Sequence, residues 1–219
     1  MNTSQPRWTI TGLDQDGNDI SAEIESFRQL THLEQVVPGR YSFLLLLSLF
    51  GGWKSGTVDP YKVVREIRLL EIGEASVLKP PIQNRYPPLK GLWHKHYLDQ
   101  GLASLAMNVQ KGLRMYGIPY MDQKIADAEA ARETRYFTAE DVHALTADLV
   151  HGNLRRLREA AAMTGEWILF AKYEGKNYYL DITTHDQSLH DHVRKNIDIG
   201  CPGARHPPGD LSTPGPARR

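Results

Sequence analysis

A predicted β-hairpin near the carboxyl end constrains the fold more than any other feature of this sequence. Residues 167–172 are aromatic, aliphatic and β-branched until Lys172, and a turn at 174–177 reads Glu-Gly-Lys-Asn. Tyr178, Leu180 and Ile182 then recur at every second position. Period-two spacing around a glycine-containing turn is typical of two antiparallel strands. The fold must therefore contain at least one antiparallel sheet, and other segments of the chain must pack against it.

A second hairpin is predicted at the amino end. Trp8 and Ile10 alternate with polar residues, and residues 14–18 read Asp-Gln-Asp-Gly-Asn, which is turn chemistry. Apolar residues alternate again from Ile20 to Ile24. An Asp-Gly turn between two such stretches favours a hairpin, and the two hairpins could join into one antiparallel sheet.

Helix starts and stops appear between the hairpins. Asp59 and Pro60 suit the N-cap and first position of a helix that Gly73 would end. Thr138 opens a capping-box pattern, and the apolar stripe that follows would end near Gly165. Further helices are predicted over residues 27–37, 89–113 and 186–196.

Residues 89–97 allow two interpretations. Leu89, Leu92 and His96 share one helical face, which favours a helix. The same residues could instead form a strand with Lys95 and Tyr97 on one side. We prefer the helix, running on through residues 102–113.

The sequence thus predicts an α+β fold, in which two β-hairpins pack with four or five helices. Residues 1–199 are expected to form one domain. Residues 200–219 are rich in Gly and Pro and are expected to be a disordered tail. The leucine-rich run 41–50 is about half the roughly 20 residues that a membrane helix needs, so it is interpreted as core.

Charge and cysteine content exclude several functions. The chain has 26 Lys plus Arg and 26 Asp plus Glu, which excludes a strongly basic nucleic-acid coat or an acidic tail. One cysteine excludes an internal disulfide framework and a multi-cysteine zinc site, and favours a cytoplasmic location. Phosphate-cradling glycine motifs and a nucleophile elbow are absent from the sequence. No cofactor, structural metal or membrane association is predicted, and the oligomeric state stays open.

A proline-rich segment, residues 79–88, presents a cluster of basic side chains. The segment is expected to be stiff and extended, without regular structure. Lys90, His94, Lys95 and His96 follow it. His185 ends the carboxyl-side hairpin, from where it could reach the same cleft.

These residue types suit RNA cleavage without a metal ion. That reaction needs a base for the 2′-hydroxyl, an acid for the 5′-oxygen and a cation for the developing charge. We assign the acid and base to histidines and the cation to lysine. The hairpin, with its charged turn and terminal His185, is similar in general appearance to small bacterial RNase toxins, although no diagnostic motif accompanies it. The candidate catalytic residues are His94, His96, His185, Lys90 and Lys95.

RNA contacts are assigned to aromatic rings and one cation near these residues. Aromatic side chains can stack on bases, and arginine can contact phosphate. The candidate RNA-binding residues are Trp93, Tyr97, Tyr178, Tyr179 and Arg155.

Two other interpretations remain open. The segment 185–192 contains His185, His190 and His192 with nearby aspartates, which could ligate a metal ion, but its spacing matches no known zinc signature. The protein could also be a non-enzymatic protein-binding or immunity-type accessory protein, since the same aromatic residues also anchor protein interfaces. RNA and a protein partner are therefore the two candidate partners.

Overall fold

A four-stranded antiparallel sheet with the order β1-β2-β3-β4 organises the chain. The computed structural model describes residues 10–98 and 101–201. The predicted α+β class is confirmed, and β3 and β4 are the predicted carboxyl-side hairpin. The strands are β1 (Ile82–Gln83), β2 (Trp93–Tyr97), β3 (Glu166–Tyr173) and β4 (Lys176–Thr183).

Helices cover most of the remaining described residues, in more segments than the four or five predicted. A π-helical turn (Asp148–Gly152) joins α7 to α8, and a 3₁₀ turn (Gln187–Leu189) precedes α9. Within the described ranges, no helix combines the length and the apolar composition needed to cross a bilayer. The α-helices are α1 (Ser21–Thr31), α2 (Leu33–Val36), α3 (Phe43–Lys54), α4 (Pro60–Ile72), α5 (Leu102–Tyr116), α6 (Pro119–Ala131), α7 (Ala139–Ala147), α8 (Asn153–Glu159) and α9 (His190–Gly200).

The cap signals predicted the helix ends well. Asp59 accepts the Tyr61 N–H at the start of α4, and Gly73 ends that helix in the left-handed conformation. At the start of α7, Thr138 and Asp141 form the reciprocal capping box. The predicted tail lies almost wholly outside the described residues.

The prediction of a hairpin at the amino end is correct for its turn and wrong for the residues that follow. Asp14 accepts the backbone N–H of Asn18, and a single antiparallel bridge closes the turn. Residues after Ile20 form helix α1 instead of a strand, because Ile24 and Phe27 then lie on one helical face and are both buried. Trp8 lies outside the described residues.

The helix preferred for residues 89–97 is also wrong, and the strand alternative is correct. Gly91 takes a positive φ of 89°, and the backbone of Asn84 bonds to both Gly91 and Leu92, so the chain reverses here. The predicted stiff segment supplies the short strand β1 on one side of that reversal. Both faces of β2 are buried, so apolar side chains occur without a clean alternation.

The two faces of the sheet differ in chemistry. Tyr97, Ile168 and Phe170 lie on the face that packs against the main core, which includes side chains of α1, α3 and α4. The other face carries a smaller apolar cluster, in which Leu169 packs with Ile197 of α9. His94 and His96 belong to this second face because they alternate with Lys95 along β2.

We expect Gly165→Ala to destabilise the fold by about 1–3 kcal/mol or more, the usual effect of overpacking a tight contact. An added Cβ would lie 1.9 Å from the Tyr97 carbonyl oxygen, which is backbone and cannot move alone. Urea unfolding measures the change. Gly51→Ala is the matched control, since its Cβ would enter open space in α3. Equal unfolding free energies for the two variants would contradict the close approach of β2 to Gly165.

Candidate functional site

Four histidine rings surround the indole of Trp167 on the second face of the sheet. His94 stacks on it with ring centroids 4.1 Å apart and planes 16° apart. His185 and His190 each lie 5.1 Å from the indole, and His96 lies 6.3 Å from it. The predicted convergence of His94, His96 and His185 is therefore present, with ring separations of 5.3 and 5.4 Å along the series.

Strand register produces this cluster. Trp167 of β3 pairs directly with His96 of β2 on one side and with Thr183 of β4 on the other. Directly opposed residues of antiparallel strands project from the same face, so the three side chains form a row. His185 follows β4 by two residues, and His190 is the first residue of α9.

Hydrogen bonds fix the neutral tautomers of two histidines. The Asn84 Nδ2 amide donates to the Leu92 carbonyl, so its Oδ1 accepts from Nδ1 of His94 at 2.8 Å. The lone pair of His94 therefore lies on Nε2. Nε2 of His190 lies 3.0 Å from the Thr184 carbonyl oxygen, which can only accept. The lone pair of neutral His190 therefore lies on Nδ1.

Burial keeps His94 and His96 neutral. Their exposed fractions are 7% and 2%. Desolvation, and then the like charges of neighbouring histidines, lower the pKa of His94 to about 4 and the pKa of His96 to about 3. Each ring is therefore uncharged at neutral pH and has one unprotonated ring nitrogen.

Three buried polar atoms in the row lack a hydrogen-bond partner. They are Nδ1 of His96, Nε1 of Trp167 and Oγ1 of Thr183. Buried polar atoms without partners are uncommon and costly, and each needs an explanation such as a catalytic role or a bound water or ion. The described residues therefore provide no hydrogen-bond partner for these three atoms of the row.

A groove of about 480 Å³ runs beside the cluster. Trp167 and His190 belong to both the cluster and the groove, so the groove borders the histidine cluster. The proline-rich segment forms the opposite wall of the groove. On this wall the Tyr86 side chain is 80% exposed, and Arg85 is also exposed. Asn84, which orients His94, also lines the groove.

The two predicted lysines lie away from the histidine rings. Lys95 projects from the opposite face of β2, where its Nζ donates to the Lys79 carbonyl at 2.9 Å and lies 3.4 Å from Glu66 Oε2. Both charged groups are buried, and desolvation lowers the pKa of Lys95. Lys90 is exposed on the turn before β2, next to the groove residue Leu89.

The predicted RNA-binding residues are dispersed. Trp93 lies on the core face of β2, with Lys172 3.8 Å above its ring, and Tyr97 is buried on that face. The hydroxyl of Tyr179 donates to Glu71 inside the core, and Tyr178 packs on Tyr173 near the hairpin turn. Arg155 is exposed on α8, 3.9 Å from Glu159. None of the five lines the groove.

Sequence reasoning missed the residues that complete the site. The sequence pattern places Trp167 only in a strand, and Arg85 and Tyr86 lie in the proline-rich segment, for which it predicts no more than a stiff, extended conformation. The one available signal for His190 was its place in the 185–192 cluster. Within residues 10–98 and 101–201, no group of three or more His, Cys, Asp or Glu side chains is arranged to hold a metal ion. The metal interpretation therefore gains no support from geometry.

Comparison with known proteins assigns no function to the site. No protein-family model, no curated protein and no solved structure matches this chain.

We expect His96→Asn to flatten the acid side of the stability profile. Below the ordinary histidine pKa of 6.5 the unfolded chain binds a proton at residue 96, whereas the folded chain does not until about pH 3. The contribution of neutral His96 to the free energy of unfolding is therefore fully present above pH 6.5, and it is lost as the pH falls below that value. The wild type should lose about 2–3 kcal/mol more than the variant between pH 7 and pH 4.5.

Urea unfolding at both pH values measures this difference. His143→Asn is the matched control because His143 is exposed on α7 and should leave the wild-type profile unchanged. If His96→Asn shows the same profile as the wild type, the ring is protonated in the folded chain.

Proposed function

We propose that this protein cleaves single-stranded RNA without a metal ion, using histidine acid–base chemistry at the groove beside Trp167. The observation that carries the proposal is the convergence of four histidines on one indole next to a groove that exposes an arginine and a tyrosine. Histidine is the side chain best suited to move protons near neutral pH.

The reaction requires two proton transfers. A base removes the proton of a ribose 2′-hydroxyl, and the resulting oxygen attacks the adjacent phosphorus. The bond from phosphorus to the 5′-oxygen breaks, and an acid protonates that oxygen. The products are a 2′,3′-cyclic phosphate and a new 5′-hydroxyl, so the chemistry needs no co-reactant.

We assign the base to His190 and the acid to His185. His190 lines the groove, and its Nε2–H is occupied by the Thr184 carbonyl, which orients the Nδ1 lone pair. His185 is half-buried, and Glu166 Oε2 accepts its backbone N–H at 3.0 Å, which anchors the loop that carries it. Both rings contact Trp167, so one rigid side chain relates the two groups.

Substrate contacts are assigned to the outer wall of the groove. The guanidinium of Arg85 suits a phosphate, and the exposed Tyr86 ring suits a stacked base. Lys90 is near enough along the chain to add positive charge. Stacking on an exposed ring requires an unpaired base, and this is why we specify single-stranded RNA.

His94 and His96 act as positioning residues in this proposal. They are buried within strand β2 and do not line the groove, which revises the sequence-based assignment of acid and base to them. His94 holds the indole by stacking, and the low pKa values of both rings keep a second positive charge away from the catalytic pair.

A second candidate function is protein binding without catalysis. Exposed apolar side chains concentrate on the helices between residues 102 and 142, far along the chain from the groove residues. Exposed apolar patches of this kind mark protein contacts.

We expect His190→Ala and His185→Ala each to lower the cleavage rate by about 10²–10⁴, the usual contribution of an acid or base. The assay follows a fluorescent single-stranded RNA in EDTA, with the all-deoxy oligonucleotide as a substrate that lacks the 2′-hydroxyl. His143→Ala, at an exposed position on α7, should cleave at the wild-type rate.

Arginine variants test the groove separately. Arg85→Ala should raise KM, whereas Arg155→Ala, on α8, should not. Melting curves of all variants exclude unfolding as the cause. Absence of cleavage by the wild type, or equal cleavage by the His185, His190 and His143 variants, would contradict the proposal.

A further inference from the structure

Two lysines contact the short segment that leads into β3. The ammonium group of Lys111, on α5, donates to the Ala162 carbonyl. The backbone N–H of Lys79, at the start of the proline-rich segment, donates to the carbonyl of the next residue, Met163, at 3.2 Å. Because adjacent Cα atoms are about 3.8 Å apart, these contacts bring α5 and the proline-rich segment to one place. Both lysines are half-buried there.

The positive charge of Lys79 lies near Lys111 and near two of the histidines. Desolvation is the main cause of the lowered pKa of Lys111, and the like charge of Lys79 adds to it. Burial is also the main cause of the low pKa values of His94 and His96, and the charge of Lys79 contributes to both. A charge acts on a pKa in this way only from nearby, so Lys79 connects α5 to the histidine cluster.

The segment before β3 also reaches His185. Its last residue before Gly165 is Thr164, whose hydroxyl lies 3.4 Å from Nε2 of His185. The His185 ring is 5.4 Å from the ring of His96. Three consecutive residues thus carry contacts to two lysines and to the assigned acid of the cleavage reaction, and these groups form one basic cluster.

No carboxylate compensates the two lysines. Among the described residues, neither of them forms an ion pair with an Asp or Glu side chain. Glu66 is paired with Lys95, and Glu166 accepts the backbone N–H of His185. An ammonium group has three donors, of which Lys111 uses one on a carbonyl. Partly buried charges are normally paired, so this cluster suits an anionic ligand.

We propose that Lys79 and Lys111 bind the backbone phosphate of RNA that follows the scissile phosphate on its 3′ side. This inference rests on the proposed cleavage, because it concerns the same strand. The 5′-oxygen that His185 protonates belongs to the nucleotide on the 3′ side of the scissile bond. The phosphate on the 3′-oxygen of that nucleotide is the next anion along the strand, and lysine binds phosphate as a point charge.

The lysine cluster gives the bound strand a direction. Neither lysine lines the groove, where the cation is Arg85 and the assigned base is His190. His190 and His185 both contact Trp167, and His185 is the one that shares a segment with the lysines. The nucleotide that supplies the 2′-hydroxyl therefore lies in the groove, and the strand continues in the 3′ direction past His185 to the lysines.

Two isomeric deoxydinucleotides test this subsite without cleavage, since neither has a 2′-hydroxyl. One carries a terminal 3′-phosphate and the other a terminal 5′-phosphate, so their charge is the same. The full-length wild type should bind the 3′-phosphate isomer about tenfold more tightly, the usual contribution of a hydrogen bond to a charged group. Titrations followed by the NMR signals of the histidine rings give both dissociation constants.

Lysine variants locate the preference. Lys79→Gln combined with Lys111→Gln should bind the two isomers equally. Lys62→Gln combined with Lys176→Gln is the matched control, because it removes the same charge from α4 and from the start of β4 and should keep the preference. Arginine at both positions 79 and 111 keeps the charge and should also keep it. Melting curves confirm that each variant is folded.

The comparison within the wild type needs no variant, so the proposal stays testable if a lysine change unfolds the chain. No measurable binding of either isomer, equal binding of both, or a preference that survives the glutamine changes would each overturn the phosphate subsite. The result is separable from cleavage. A wild type that prefers the 3′-phosphate but cleaves no RNA keeps the subsite and refutes the acid–base assignment, whereas cleavage without this preference refutes the subsite alone.

Discussion

The pairing of β2 with β3 is the constraint on which the rest of the structure depends. Side chains of a strand alternate between faces, so a slip of one residue would exchange the environments of His96 and Lys95. In the observed register Lys95 meets Glu66 in the core, and His96 faces Trp167. A slip would leave Glu66 buried without its cation, which costs about 3–5 kcal/mol. The ion pair on one face therefore selects the register that assembles the histidines on the other.

The histidines divide between a central strand and the segment that follows the sheet. His94 and His96 lie within a central strand, where burial keeps them uncharged. His185 and His190 follow the last strand, where the chain leaves the sheet and the groove begins. A rigid strand holds the stacked core of the cluster, whereas a loop carries the half-buried His185 and a helix start carries His190, which lines the groove. Precise placement and access thus come from different elements of one cluster.

Local signals in the sequence predicted the elements whose ends or turns are chemically marked. The Asp59-to-Gly73 helix and the β3–β4 hairpin are both correct, because caps and turns depend on neighbouring residues. Two errors share a cause: Ile20, Ile24 and the residues of β2 fit both the helical and the strand period over a short stretch. Tertiary packing decides such cases, and it buried Ile24 on a helix and both faces of β2 in a sheet. The site was predictable only as a set of histidines, since the contact with Trp167 arises from register between distant segments.

Helix α5 shows a further limit of pattern reading. The stripe of Leu102, Leu105, Val109 and Leu113 correctly predicted a helix, but the period of a stripe does not say what covers it. Within the chain, Asn108 determines the orientation through two bonds to the backbone of Thr164, a stronger directional constraint than apolar contact. Thr164 in turn lies 3.4 Å from His185 through its hydroxyl. Thr164 therefore contacts both Asn108, which orients α5, and His185 of the histidine cluster, so the rotation of α5 and the placement of His185 depend on one shared residue.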